Sequence, residues 1–325
     1  MNLVFLGTPD FAVPSLKSII NSKHKVLAVV TQPDKPVGRS GKICFSPVKQ
    51  VACDNGIKVL QYNKIRLEGV EDLKALKPDI MVACAFGQIL SKEILDIAPH
   101  GVINVHGSLL PKYRGAAPIQ QAVINGDKET GITVMQTEEG VDTGDMILVE
   151  KTPVYPDETA GELFERLAAI GAEAVVKALD LIESGKAVFV KQDDSAATHV
   201  KMFKKEDGII DFSASSQKIH DFVRGMNPWP CAFTFLNGKI LKVFKADVVD
   251  GLFNPESEKA DEIERLHYGA AIFADLKNGL VIKTASGGIR LSEVQEEGGK
   301  RMDDKTFLLG HKICRGTMLK GEKTN

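Results

Sequence analysis

The sequence lacks the cysteine arrangement of a disulfide-stabilised or zinc-binding protein. Its 325 residues include five cysteines, an odd number, and no two of them have C-x-x-C spacing. This usage is typical of a protein kept in a reducing compartment. We therefore expect neither a disulfide framework nor a metal site.

Long apolar runs are also missing. No segment approaches the roughly 18 uninterrupted apolar residues of a membrane-spanning helix. The first residues, MNLVFLGTPDF, have no basic start, and Gly7, Pro9 and Asp10 interrupt their apolar run, so they do not resemble a signal peptide. These features predict a cytoplasmic protein that does not bind membranes.

Several signatures of common protein classes are absent. The formal net charge is −2, which argues against a generally basic nucleic-acid-binding surface but leaves local patches open. Pro9 stands where a G-x-G-x-x-G phosphate cradle would have its second glycine, so no NAD cofactor is expected. There is no G-x-S-x-G motif, and a single DTG cannot make an aspartic protease, which needs two.

Buried strands alternate with helices in the first half of the chain. Apolar runs such as LVFLG, KVLAVVTQ and DIMVACAFG are separated by helical stretches, a pattern typical of a mostly parallel sheet covered on both faces. The stretches GITVMQT and DMILVEKTPV then suggest an antiparallel addition to the sheet edge. We predict a Rossmann-like α/β domain over residues 1–188.

The pattern changes in the second half. A polar, irregular stretch predicts a linker over residues 189–206. Short strands with hairpin signals at Asn237-Gly238 and Asn278-Gly279 follow, and several strands spaced by about 8–12 residues are typical of a small barrel. We predict an OB-like β-barrel domain over residues 207–325.

The stretch INVHGSLLP, residues 103–111, carries the first candidate site. As a strand, it brings Asn104 and His106 to one face at its carboxyl end, where open parallel sheets bind ligands. A lone histidine on a strand is more often structural, but two polar residues at this edge favour a site. Asp142, in the glycine-bracketed stretch EEGVDTGD, supplies a third polar group.

A basic loop gives the second candidate. QPDKPVGRSGKICFSPVK, residues 32–49, carries Lys35, Arg39, Lys42 and Lys49 but few acidic residues. Most basic loops are merely solvated. This one leaves the carboxyl end of a predicted parallel strand, so it suits a polyanionic substrate.

Taken together, these blocks resemble the formyltransferases that use 10-formyltetrahydrofolate, and among them the methionyl-tRNA formyltransferases. The resemblance rests on GTPDFAVPSL, QPDKPVGR, INVHGSLLPKYRGAAPIQQAVINGD, TGITVMQTEEGVDTGDM and NPWP, in this order. It covers essentially the whole chain and weakens beyond about residue 255. It implies that Asn104, His106 and Asp142 are the catalytic trio. It also implies formyl transfer from 10-formyltetrahydrofolate to methionine on initiator tRNA.

The same resemblance implies the binding residues. The folate co-substrate is expected at Ser108, Leu109, Leu110, Pro111, Phe86, Gly87 and Ile89. For Phe86, ordinary core packing is an equal expectation. Lys112 and Arg114 suit either the glutamate tail of folate or RNA phosphate, and the residues alone do not decide between them.

For the tRNA partner, the resemblance implies contacts from the basic loop and from the C-terminal barrel. Lys35, Arg39, Lys42 and Lys49 are the candidates for the acceptor stem. Lys239, Lys242 and Lys245 offer charge in the barrel, although a row of lysines is more often a solvated face. We expect a monomer.

Two rival activities share the trio, and a third reading does not involve catalysis. One rival is a formyltransferase acting on a nucleotide-sugar amine, against which the basic loop and NPWP both argue. The other is a hydrolase of formyltetrahydrofolate, in which water replaces the amine. A non-catalytic RNA- or folate-binding protein is disfavoured by the intact trio.

Overall fold

The chain packs into two compact units. The structure is a computed structural model that describes residues 1–37, 41–249 and 260–320. The first unit comprises residues 1–118, 129–153 and 163–201, and the second comprises residues 119–128, 154–162 and those from 202 onward. The predicted linker is therefore divided between the units, because its first part is hydrogen-bonded into the first unit.

The strands of the first unit are short and mostly apolar. They are β1 (Asn2–Gly7), β2 (Lys25–Thr31), β3 (Lys35–Val37), β4 (Lys42–Cys44), β5 (Lys58–Gln61), β6 (Ile80–Cys84), β7 (Val102–His106), β8 (Arg114–Gly115), β9 (Glu129–Gln136), β10 (Met146–Pro153) and β11 (His199–Val200). Seven of them form one sheet in the order β10-β9-β7-β6-β1-β2-β5. Strands β3 and β4 form a hairpin, and β8 pairs with β11.

The main sheet confirms the predicted α/β fold. Strands β7, β6, β1, β2 and β5 run parallel, whereas β9 and β10 are antiparallel additions at one edge. All five residues of β6 are buried, as expected for a parallel strand covered on both faces. Gly7 pairs with Cys84, and Ala83 pairs with Asn104. The carboxyl ends of β1, β6 and β7 therefore lie side by side.

Helices separate many of the strands along the chain. They are α1 (Ala12–Ile20), α2 (Pro47–Asp54), α3 (Ile65–Glu68), α4 (Val70–Leu76), α5 (Lys92–Leu95), α6 (Pro118–Ile124), α7 (Ala160–Glu183), α8 (Ser216–Gly225), α9 (Ala260–Glu264) and α10 (Asp304–Gly310). A capping box precedes α7, since the Thr159 N–H donates to Glu162 Oε2 (2.8 Å) and the Glu162 N–H donates to Thr159 Oγ1 (3.2 Å). Within the described ranges, no helix is both long enough and apolar enough to cross a bilayer.

The second unit is built on an antiparallel sheet. Its strands are β12 (Ala232–Leu236), β13 (Lys239–Val249), β14 (Ala271–Asp275), β15 (Gly279–Thr284), β16 (Gly287–Glu296) and β17 (Met302–Asp303). They follow the order β12-β13-β16-β15-β14, with β17 on β16. The predicted Asn237-Gly238 turn joins β12 to β13 with both residues at positive φ. The sheet confirms an antiparallel C-terminal fold, and its description as a barrel stays a prediction.

A buried ion pair stabilises this second sheet. The Asp304 carboxylate is fully buried. It accepts from Arg290 Nε (2.7 Å) and Nη2 (2.8 Å) and from the Leu280 N–H (3.0 Å). Burial alone would raise the pKa of Asp304, but the hydrogen bonds from Arg290 and Leu280 outweigh it and lower that pKa below its usual value. The pair therefore stabilises the fold only while Asp304 is ionised.

Substitution of Asp304 should destabilise the second unit in a pH-dependent way. Because the folded pKa lies below the unfolded value, the contribution is present at neutral pH and is lost as the pH falls below about 4. We expect Asp304→Asn to lower the free energy of unfolding at pH 7 by about 3 kcal/mol. Urea unfolding at pH 7 and in the acid range, with exposed Glu297→Gln as control, measures this. An equal loss at both pH values would contradict the assignment.

Candidate active site

The first two site residues lie at the carboxyl end of β7. Asn104 and His106 are two positions apart and so project from the same face of the strand. The strand is held on both sides, since Asn104 pairs with Ala83 of β6 and His106 pairs with Thr133 of β9. Asn104 is partly exposed and His106 is almost fully buried. The sheet thus fixes both side chains at its carboxyl edge.

The hydrogen bonds of His106 define its tautomer. Its Nε2 lies 3.0 Å from the backbone carbonyl oxygen of Tyr113, and its Nδ1 lies 3.6 Å from Asp142 Oδ2. A carbonyl oxygen can only accept, so we assign the proton to Nε2. In the neutral ring, the lone pair of Nδ1 then faces the Asp142 carboxylate. Nδ1 is the nitrogen available to take up a proton.

Asp142 completes the group from a tight loop between β9 and β10. Its φ is +53°, a left-handed conformation that is uncommon for a residue other than glycine. Its Oδ2 accepts from the Gly115 N–H at 2.8 Å, and its Oδ1 lies 3.5 Å from Asn104 Nδ2. The structure therefore brings together all three residues predicted as catalytic, with the carboxylate contacting both of the others.

The loop that follows β7 is more buried than its sequence suggests. Thr133 Oγ1 donates to the Ser108 carbonyl (2.7 Å) and accepts from the Leu110 N–H (3.2 Å). Ser108 and Leu110 are buried, whereas Leu109 and Pro111 are partly exposed. The Leu110–Pro111 peptide bond is cis. Of the two leucines expected to offer apolar surface to folate, Leu109 is the accessible one.

The other predicted folate contacts lie on the loop after β6, where one is buried and two are exposed. Phe86 is buried in the core of the first unit, which agrees with its alternative as an ordinary packing residue. Gly87 and Ile89 are exposed. Gln32 Nε2 donates to the Phe86 carbonyl at 3.1 Å, so the start of the basic loop is tied to this segment.

The basic loop likewise contains residues of different kinds. Lys35 is exposed on β3. Lys42 belongs to β4, while Arg39 lies outside the described residues. Lys49 Nζ is bound to Asp34 Oδ2 (2.5 Å) and to Gln61 Oε1 (2.9 Å), and its hydrogen bond lowers the pKa of Asp34. Lys49 thus has a structural partner at the base of the loop.

Arg114 points toward acceptors of its own chain. The side chain is 4% exposed, and Nε and Nη2 donate to Gln192 Oε1 at 3.1 and 2.9 Å. Nη2 also donates to Asp194 Oδ1 at 2.7 Å. Lys112, two residues earlier, is exposed. Of the pair considered for folate or RNA contacts, Lys112 is therefore the one with an accessible side chain.

Comparison with known proteins decides the family. Residues 1–179 match the family described as Formyl transferase, and residues 202–312 match Formyl transferase, C-terminal domain. The methionyl-tRNA formyltransferase of Lachnospira eligens is 48% identical over 320 residues, which cover 98% of this chain and 99% of the relative. The chain belongs to the methionyl-tRNA formyltransferase family. The methionyl-tRNA formyltransferase of Geotalea daltonii is 45% identical and covers 98% of each chain.

Solved structures share the fold of this methionyl-tRNA formyltransferase family member at lower identity. An N-formyltransferase from Helicobacter canadensis, in complex with folinic acid and dTDP-3-aminofucose, is 22% identical with a TM-score of 0.65, over 88% of this chain and 97% of that one. HypX from Aquifex aeolicus, in complex with tetrahydrofolic acid, is 15% identical with a TM-score of 0.59, over 94% of this chain and 46% of that one. These likenesses show the fold alone.

The sequence did not indicate two residues that support the candidate site of this methionyl-tRNA formyltransferase family member, Gln192 and Thr198. Gln192 Nε2 donates to the backbone carbonyls of Asp142 (2.9 Å) and Gly144 (2.8 Å). Thr198 Oγ1 accepts from the Tyr113 N–H at 2.8 Å. Both residues lie in the segment predicted as a linker. Its polar, irregular sequence carries no periodic signal, so only the pairing of β11 with β8 reveals that it belongs to the site.

Proposed function

We propose that the chain transfers the formyl group of 10-formyltetrahydrofolate to the α-amino group of methionine on initiator Met-tRNA, for translation initiation. The observation that carries the proposal is the convergence of Asn104, His106 and Asp142 at one edge of the sheet. Near-full-length identity of 48% to a methionyl-tRNA formyltransferase supports the choice of substrate. The products are formyl-Met-tRNA and tetrahydrofolate.

The reaction requires charge stabilisation and the movement of one proton. The amine nitrogen attacks the formyl carbon, a new N–C bond forms, and the formyl oxygen becomes an oxyanion in a tetrahedral intermediate. The bond between the formyl carbon and the folate nitrogen then breaks. That nitrogen takes up a proton as the carbonyl re-forms, so the proton lost by the amine balances the proton gained by the folate.

Asn104 is suited to stabilise the oxyanion. Its amide nitrogen carries two hydrogens, so it can donate toward Asp142 and toward the formyl oxygen at the same time. A protonated His106 adds positive charge at the same edge. A preorganised donor of this kind contributes about 10²–10³-fold to the rate of an acyl transfer.

His106 and Asp142 are suited to carry the proton. Nδ1 of the neutral ring faces the Asp142 carboxylate across 3.6 Å, so an imidazolium formed by protonation at Nδ1 gains a nearby negative charge. The Tyr113 carbonyl holds the opposite nitrogen and prevents the ring from turning. Acid–base catalysis by a positioned imidazole contributes about 10²–10⁴-fold.

For the folate, we propose a site between the loops that follow β6 and β7. Leu109 and Ile89 supply accessible apolar surface for the rings, and the exposed backbone at Gly87 supplies polar groups. Ser108 and Leu110 shape the loop rather than offer surface, because they are buried and their backbone is held by Thr133. Pro111 is partly exposed and adds apolar surface beside Leu109. Phe86 supports the loop from the core.

For the acceptor stem of the tRNA, we propose the basic loop and the C-terminal unit. Lys239, Lys242 and Lys245 are exposed on β13. β12 and β14 are the two edge strands of the sheet order. Lys320 forms a β-bridge with Phe235 of β12, and Met318 forms one with Ala270 beside β14, so the last described residues pair at both edges. These bridges support an OB-like barrel. We further propose that the protein acts as a monomer in the cytoplasm.

The basic loop gives a direct test of the tRNA contacts. Arg39→Ala combined with Lys42→Ala should raise the KM for Met-tRNA about tenfold. It should also reduce the salt dependence of binding by about one to two logarithmic slope units, since each lost phosphate contact removes about 0.7–0.9. Kinetics and binding between 50 and 200 mM salt, the range in which such contacts are resolved, measure both effects. Lys25→Ala is the control, because Lys25 is exposed at the first residue of β2, at the opposite end of that strand from the basic loop. An unchanged slope in the double variant would argue against these contacts.

A single assay separates the proposed activity from its rivals. Labelled formyl transfer from 10-formyltetrahydrofolate is measured to Met-tRNA, with release of tetrahydrofolate and formate followed in parallel. We expect formyl-Met-tRNA and tetrahydrofolate in equal amounts. Formate without formyl-Met-tRNA would instead identify a hydrolase. Transfer to a nucleotide-sugar amine but not to Met-tRNA would identify the other formyltransferase.

A further inference from the structure

We propose that Gln192 is a positioning residue that holds Asp142 in its catalytic orientation, a role that rests on the proposed function of the trio. Gln192 is 5% exposed and lies 50 residues from Asp142 along the chain. Its side chain is hydrogen-bonded to Asp142, Gly144 and Arg114 rather than to Asn104 or His106. It acts on the loop that carries Asp142, and through that loop on the carboxylate.

The hydrogen bonds of the Gln192 side chain are saturated. Its two amide hydrogens go to the carbonyls of Asp142 and Gly144, and its oxygen accepts from Nε and Nη2 of Arg114. This pattern fixes which end of the amide is nitrogen, because both loop partners are acceptors and both Arg114 groups are donors. If the amide were flipped, its oxygen would face the two loop carbonyl oxygens and its N–H groups would face the N–H groups of Arg114. Gln192 therefore has one orientation.

The loop needs this support because its backbone is unusual. Asp142 has a φ of +53°, and such a conformation persists only where the surroundings enforce it. Gly144 passes so close to the Gln136 carbonyl that a Cβ there would overlap it. Gln192 joins the carbonyls on both sides of Thr143 to a single amide nitrogen. It thereby closes the loop around Asp142.

The same segment holds Asp142 from its other end. Strand β11 pairs in parallel with β8, and Gly115 of β8 donates its N–H to Asp142 Oδ2 at 2.8 Å. Arg114, the neighbour of Gly115, grips Gln192 and Asp194. One hydrogen-bonded network thus holds Asp142 at two points: Gln192 binds the Asp142 backbone carbonyl, and Gly115 binds the Asp142 carboxylate. The charge on Arg114 also strengthens the amide as a donor.

Gln192→Glu tests this role with a side chain of nearly the same shape. The carboxylate keeps its pairing with Arg114 but turns an acceptor toward the two loop carbonyls, so the loop loses both donors. We expect kcat for formyl transfer to fall about 10–100-fold, the usual effect of displacing a catalytic group by about 1 Å. The KM for Met-tRNA and for the folate should each stay within about threefold. Gln192→Leu, which removes the donors without adding charge, should likewise lower kcat and leave both KM values nearly unchanged.

A readout independent of turnover completes the test. The ¹⁵N resonances of the His106 ring report how Nδ1 and Nε2 are protonated, and in Gln192→Glu the Nδ1 signal should change as Asp142 moves while the Nε2 signal stays. Gln121→Glu, in which the amide bonded to Asn125 is replaced, is the matched control and should leave kcat and both resonances unchanged. Asp194→Asn should lower kcat less than threefold, because that carboxylate is 75% exposed and only supports Arg114.

Two results would overturn the role of Gln192. One is a kcat within twofold of the wild type in both Gln192 variants. The other is an increase in KM at constant kcat, which would mean that Gln192 serves substrate binding. A wild-type protein that forms no formyl-Met-tRNA would instead refute the proposed function. In that case the His106 resonances would still report whether Gln192 positions Asp142.

Discussion

Replacing His106 with alanine should lower kcat for formyl transfer by about 10²–10⁴-fold while leaving the KM for Met-tRNA nearly unchanged. The imidazole contributes through its Nδ1, which faces Asp142 Oδ2 at 3.6 Å and has no equivalent in alanine. His106 is the last residue of β7, so the change leaves a space at the carboxyl end of the strand rather than in the middle of the core, and the protein should still fold. Single-turnover formyl transfer and circular dichroism measure the two effects.

Controls separate the chemistry of this residue from its packing. His100→Ala removes an exposed histidine of the same unit and should leave kcat unchanged. Asn104→Ala and Asp142→Asn should each lower kcat at least a hundredfold, and combining either with His106→Ala should add little, because residues that act as a unit are not additive. Near-normal turnover by His106→Ala would remove the residue from the proposed mechanism.

Gly115→Ala is expected to have the largest effect of any substitution outside the trio, although no substrate need touch this residue. Gly115 has a φ of +112°, and a Cβ at this position would overlap the carbonyl oxygen of Val200. The substitution should therefore separate β8 from β11 and displace the N–H that donates to Asp142 Oδ2. We expect kcat to fall about 100-fold and the free energy of unfolding to fall by more than about 1 kcal/mol.

A second glycine allows the two causes of this effect to be separated. Gly185 has a φ of +67°, and an added Cβ would meet no atom within 4 Å. Gly185→Ala therefore introduces the backbone strain without the overlap and should lower stability while leaving kcat unchanged. If Gly115→Ala kept a normal kcat, the strand pairing of β8 with β11 would have no part in positioning the carboxylate.

The parts of the fold that could be predicted are those with a local signal. Apolar strands such as DIMVACAFG, separated by helical stretches, gave the parallel sheet, because a strand covered on both faces is apolar on both faces. Asn104 and His106 could be predicted as a pair because strand periodicity alone brings them to one face. Asp142 could be predicted only as a nearby candidate, since its glycine-bracketed loop indicated a turn but not its target.

The remaining features depend on partners far away in the sequence. Nothing near Arg114 indicates that its guanidinium meets Gln192, which lies 78 residues further along the chain. Lys49 reads as one basic residue among several until Asp34 and Gln61 are brought beside it. Leu110 looks as accessible as Leu109, its neighbour in the sequence, but it is buried, and Thr133 on another strand holds its N–H. Long-range pairing of this kind leaves no periodic trace.

The segment from Gln192 to Val200 sets a limit on how this enzyme can be cut or lengthened. An interdomain linker tolerates insertions, because few hydrogen bonds cross it. Here the backbone is bound at Thr198 and Val200, and the side chain of Gln192 is bound at the loop of Asp142. A fragment ending near residue 188 would therefore lose the hydrogen bonds from Gln192 to the loop of Asp142 and from Tyr113 to Thr198. The first unit ends at residue 201, so a fragment that keeps these hydrogen bonds must reach at least that residue. An insertion between Gln192 and Thr198 should disturb both attachments.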